Sequence, residues 1–79
     1  MIFEYVRNKY GHRLGIVCAI EKKDIGWSLC QKQDEFNKDF GLMIAKGRAI
    51  KSKINDKKIP RSIYPLVLKM RERAKRYYK

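Results

Sequence analysis

Acidic residues are scarce in this sequence, and histidine, cysteine, proline and glycine are scarcer still. Eight Asp and Glu stand against twenty Lys and Arg, a formal net charge of +12. The single histidine, His12, lies at a turn-to-strand boundary with no Cys or Asp at metal-site spacing. Ser28 and Ser62 have no obvious base. Gly41 and Gly47 do not stand in the strand–loop–helix glycine pattern of a phosphate loop. Asp34, Glu35 and Asp39 read as dipole partners of a helix start rather than as magnesium ligands. No enzyme activity, no metal and no cofactor are therefore expected. Cys18 and Cys30 are too few for a disulfide scaffold, and both lie in apolar, strand-like sequence. They read as buried free thiols, with a Cys18–Cys30 bridge between neighbouring strands as the other option. No apolar run approaches the length of a membrane span, and the chain opens on a strand-like segment, so neither a membrane segment nor a signal peptide is expected. No internal repeat or low-complexity segment is visible.

What is present fits one small domain covering residues 1–79. Met1–Arg7 alternates, with Ile2, Glu4 and Val6 on one face and Phe3, Tyr5 and Arg7 on the other. Asn8–Gly11 is a turn. In His12–Glu21, Leu14, Ile16, Cys18 and Ile20 share one face, and Gly15, Val17 and Ala19 share the other. After the polar turn Glu21–Asp24, Ile25, Trp27 and Leu29 alternate with Gly26, Ser28 and Cys30. Two short turns joining three strands predict an antiparallel meander over residues 1–30.

The period then changes. Phe36, Phe40, Met43, Ile44, Gly47 and Ile50 fall near one face of a helix over residues 34–50, with Asp34 as N-cap. That helix is expected to cover the sheet by inserting Phe36 and Phe40. A mid-helix Gly47 costs helix stability, so close packing or a C-cap role is expected for it. Asn55–Arg61 reads as a connector, Ser62 as an N-cap, and Pro65 as a first-turn residue. A second, basic helix over residues 62–78 carries the apolar stripe Ile63, Leu66, Val67, Met70, Ala74 and Tyr77. Its tail from Tyr77 is expected to fray. The predicted fold is α+β, a three-stranded antiparallel β-meander followed by two α-helices.

Charge is unevenly placed. In residues 1–40 seven basic residues face six acids, whereas in residues 41–79 thirteen face only Asp56 and Glu72. Such segregation points to an anionic partner met by the C-terminal half. Basic residues interleaved with tyrosines suit phosphate neutralisation and base stacking. The candidate contacts are Lys46, Arg48, Lys51, Lys53, Lys69, Arg71, Arg73, Lys75, Arg76 and Tyr78. For Tyr77, packing at the helix end is favoured over stacking on a base. No zinc finger, homeodomain or RNP pattern is present, so phosphate-driven contact with weak sequence specificity is expected, with DNA ahead of RNA.

The run from Ile25 to Ala49 also resembles small accessory proteins of tailed bacteriophages. The resemblance rests on Ser28 and Cys30, then Asp34, Phe36 and Lys38, then Gly41, then Ile44, Ala45, Gly47, Arg48 and Ala49. It covers about a third of the chain and omits the basic C-terminal helix. It implies a viral origin and a place in the cytoplasm of an infected bacterial host; it carries no activity with it. Two functions are therefore expected as alternatives: a nucleic-acid-binding module, or an inhibitor of a host protein such as a polymerase, nuclease or defence complex. A homodimer zipped through Ile63–Tyr77 is compatible with both.

Overall fold

The computed structural model describes residues 1–30, 35–51 and 59–78. Strands β1 (Ile2–Arg7), β2 (Arg13–Ala19) and β3 (Ile25–Leu29) form one antiparallel sheet in the order β1-β2-β3. Helices α1 (Lys38–Ile50) and α2 (Tyr64–Tyr77) follow. The predicted β-β-β-α-α order is the observed one.

Turn chemistry fixes the first hairpin. The Asn8 side-chain oxygen accepts from the backbone N–H of Tyr10 at 2.9 Å and of His12 at 3.0 Å. Gly11 takes φ 83°, a conformation open to glycine at little cost. With that turn set, Phe3 pairs with Cys18 and Tyr5 with Ile16, while Ile2 pairs with Ala19 and Glu4 with Val17. On the other side of β2, Cys18 pairs with Gly26 and Val17 with Trp27.

Because β2 is central, both of its faces need cover, and each receives a helix. Val17 and Ala19 join Val6, Ile25, Ile59, Ile63, Val67, Met70 and Ala74 in one buried cluster under α2. Ile16 and Cys18 join Ala45 and Ala49 in a second cluster under α1. The sheet is the middle layer of three, where the sequence gives reason to expect a cover over one face. The α2 stripe of Ile63, Val67, Met70 and Ala74 is thus buried against the sheet. It is not available to zip two copies together, which corrects the homodimer expected through Ile63–Tyr77.

The face that α1 buries also differs from expectation. Phe40 is 58 % exposed, and Met43 and Ile50 are exposed too. The inward row is half-buried Gly41 with buried Ala45 and Ala49, four residues apart. It lies against β3, where a side chain at Gly26 would run into the Ala45 carbonyl oxygen. The Ser28 hydroxyl donates to the Gly41 carbonyl oxygen at 2.8 Å and completes this contact. A backbone held that close leaves no room for Phe40 beneath the helix. Phe36 does pack inward, edge-on to Tyr5, but from the segment ahead of the helix.

The helix starts correct two cap assignments. Asn37, not Asp34, caps α1, its side chain accepting from the Phe40 N–H at 3.0 Å; Asp34 lies outside the described residues. The N-cap of α2 is Ile63 with no side-chain hydrogen bond, and the turn bond from Ile63 N–H to the Pro60 carbonyl oxygen, 3.1 Å, leads into it instead of Ser62. Pro65 stands in the first turn as expected.

Cys18 and Cys30 form no disulfide with each other. The Cys30 N–H donates to the Leu14 carbonyl oxygen, so Cys30 lies four residues along β2 from Cys18. At about 3.3 Å per residue that separation exceeds the reach of a disulfide. Burial pushes the Cys18 thiol above its ordinary value. Among the described residues, no helix is long and apolar enough to cross a membrane.

Candidate nucleic-acid interface

The candidate cations do not form one surface. Lys46 and Arg48 belong to α1, with Lys51 as its C-cap, and the group from Lys69 to Arg76 belongs to α2, with the sheet between them. Lys53 lies outside the described residues.

On α1, Lys46 and Lys51 are exposed. Arg48 is engaged within the chain. Its guanidinium lies 4.3 Å from the centroid of the Trp27 ring and donates to the Trp27 carbonyl oxygen at 2.8 Å. It reaches around edge strand β3 and occupies a carbonyl that no strand pairs, which explains it as a structural clamp.

On α2, two acids temper the charge. Arg73 donates to Glu4 Oε1 at 2.7 Å, and Lys69 Nζ stands 4.0 Å from Glu4 Oε2. Lys75 pairs with Glu72 at 3.4 Å. Arg76 is exposed and Arg71 half-buried. Tyr78 is not placed to stack on a base, because its hydroxyl donates to the Ala19 carbonyl oxygen at 2.9 Å and its ring packs on the α2-side core. Tyr77, for which packing was expected, is instead 60 % exposed, with its ring edge-on to that of Tyr78. The helix end is anchored rather than frayed, and the anchor is the second tyrosine of the pair.

The structure adds residues from the nearly neutral N-terminal half. On the α1 side of β1, Phe3, Tyr5 and Phe36 form a chain of edge-to-face rings, with centroids 5.6 and 5.9 Å apart. Arg13 lies over both Tyr5 and Phe36, at 5.1 and 5.2 Å, Arg7 over Tyr5 at 5.5 Å, and Lys38 over Phe3 at 5.8 Å. None of these cations has an ion pair among the described residues. The signal for this strip was the alternation placing Phe3, Tyr5 and Arg7 on one face of β1. Its meaning was hidden because Arg13, Phe36 and Lys38 reach it only through the fold.

Strand β1 joins the two sets. One cleft is lined by Tyr5, Arg7, Ser62, Pro65 and Lys69, among others, and the next by Ile2, Arg73, Arg76 and Tyr77. Arg7, Lys69, Arg73 and Arg76 therefore follow one another along the seam between β1 and α2, with Glu4 between Lys69 and Arg73. Among the described residues, no cluster of three or more His, Cys, Asp or Glu is placed to hold a metal ion. No family model matches this chain, and neither a curated protein nor a solved structure matches it.

Proposed function

We propose that the protein binds nucleic acid along the β1–α2 seam, mainly through phosphate contacts. The observation that carries this reading is the run Arg7, Lys69, Arg73, Arg76 beside the half-buried Tyr5–Phe36 strip, with Glu4 as its one acid. Strand β1 is six residues long, about 20 Å, enough for several phosphates to be met in succession. Contacts of this kind position a backbone and carry little base information. The setting would be the infected bacterium that the resemblance of Ser28–Ala49 implies.

Fluorescence anisotropy with two unrelated duplexes and one single strand, at two salt concentrations, tests the proposal. Four phosphate contacts give a slope of log K against log salt of about −3 to −4 on duplex DNA. Replacing Lys69, Arg73 and Arg76 together by Gln should bring that slope to about −1 and weaken both duplexes equally. Glutamine is preferred to glutamate because an acid at position 69 or 73 would stand against Glu4 and disturb the fold as well. If the wild type binds none of the three even at low salt, the alternative of a host-protein inhibitor takes over.

A further inference from the structure

We infer that the outward face of α1 is a self-association surface, on which a second copy of this chain docks antiparallel. Three observations converge on it. The first is exposure: Phe40, Met43 and Ile50 are 58, 61 and 62 % exposed. At 100° per residue they fall, with Gly47, within about 80° of arc, centred opposite the inward row of Gly41, Ala45 and Ala49. A stripe of large apolar side chains left exposed on the outer side is uncommon in a helix of 13 residues.

The second is Gly47. It lies inside α1, where glycine costs stability relative to alanine. Its φ is not positive, and a Cβ placed there meets nothing within 4 Å among the described residues. Gly26 and Gly41 have neighbours in the protomer that account for them. Gly47 has none among the described residues, and a close neighbour from a second chain would account for it.

The third is complementarity, which selects a second copy over another partner. Phe40 is a protrusion and Gly47 a notch seven residues away on the same stripe. A two-fold axis perpendicular to α1 lays Phe40 of each chain over Gly47 of the other, with Met43 at the centre, where its flexible side chain fills irregular space. The same operation brings like margins of the two helices together. Asp39 and Lys46 occupy one margin, and neither has an ion pair among the described residues. In this register they stand two residues, about 3 Å, out of level across the interface, within reach of a lysine side chain. Two reciprocal pairs result, and the opposed helix dipoles add to them. In a chain of net charge +12, this stripe offers a copy of itself matched rather than repelling neighbours.

One helix pair buries less than a standard interface, so association in the range of roughly 10–100 µM is expected. Nuclease-treated protein, first washed in high salt to strip nucleic acid, should be followed by sedimentation equilibrium at moderate ionic strength, where ion pairs in close contact still act. The mass should rise from one chain towards two across that range. Gly47→Leu should weaken association at least ten-fold while the variant melts no lower than wild type, since its side chain enters open space in the protomer. Asp39→Lys should weaken it comparably, and Asp39→Lys with Lys46→Asp should restore it. A mass of one chain at all concentrations overturns the inference. So does a dimer that Gly47→Leu and Asp39→Lys both leave unchanged. Loss of anisotropy signal with intact self-association would remove the nucleic-acid proposal and leave this one standing.

Discussion

The two helices hold the same sheet by opposite means. α2 inserts Ile63, Val67 and Met70 between the side chains of Val6, Val17 and Ile25, and each large residue so buried contributes about 1.5–3 kcal/mol. α1 brings Gly41, Ala45 and Ala49 down on Gly26 and Ser28, so that backbone meets backbone. Side-chain packing uses up the apolar surface of a helix. Backbone packing leaves the large residues on the far side, which is why α1 and not α2 presents Phe40, Met43 and Ile50 to solvent. The pattern of large apolar residues thus reports the buried face of α2 and the outer face of α1.

The sharpest way to break this contrast is to add one methyl group in two places. Gly26→Ala drives a Cβ into the Ala45 carbonyl and must push α1 off β3. The cost should exceed about 3 kcal/mol, close to the whole stability of so small a domain. Gly47→Ala, measured at low micromolar concentration, should instead add about 0.5–1 kcal/mol by helix propensity. Urea denaturation of the two variants checks both signs. A tolerated Gly26→Ala would show that α1 does not rest on β3 by its backbone.

A smaller effect separates the two kinds of large apolar residue. Met70 is buried beneath α2, and Met70→Ala should cost about 2–3 kcal/mol. Phe40→Ala, which would cost still more were the ring in the core, should change stability by less than about 1 kcal/mol. Equal losses would mean that both helices pack by side chains and that the comparison is wrong.

These variants also mark what was legible in the sequence. The strands were, because β2 alternates and Asn8 and Gly11 mark its turn. So was the core face of α2, whose stripe is both apolar and buried. The core face of α1 was not. A reading by hydrophobic period looks for large residues, and Gly41, Ala45 and Ala49 are small. Residues of the Ser28–Ala49 run belong largely to this packing unit: Ser28 bonds to Gly41, Ala45 and Ala49 meet β3, and Arg48 clamps Trp27. The cations were visible one by one, but their partners were not. Glu4 and Arg73 are 69 residues apart in sequence and 2.7 Å apart in space. The sum of charge in the first half likewise concealed that Arg7 and Arg13 lie on aromatic rings, with no ion pair among the described residues.

The last contrast concerns the final turn of α2. On the α2 side the chain end is held by Tyr78, whose hydroxyl donates to the Ala19 carbonyl oxygen at the end of β2. Tyr78→Phe keeps the ring and deletes this bond, so it should cost about 1 kcal/mol near neutral pH. A pH series adds a signature that lost packing would not give. Burial holds the Tyr78 hydroxyl above its ordinary value of 10.0. The folded chain therefore keeps that proton to higher pH than the unfolded chain does. Its contribution is complete below pH 10 and is lost as pH rises through the raised value, because unfolding then releases a proton. Cys18 acts with the same sign from its ordinary value of 9.0 upward. Wild type should lose stability above about pH 9–10 more steeply than Tyr78→Phe, and Tyr78→Phe more steeply than its double variant with Cys18→Ala. Denaturant midpoints at pH 7, 9 and 10.5, roughly spanning the two ordinary values, read these slopes directly. If wild type and Tyr78→Phe run parallel across the series, the hydroxyl is in water, and the end of α2 is as loosely held as the outer face of α1.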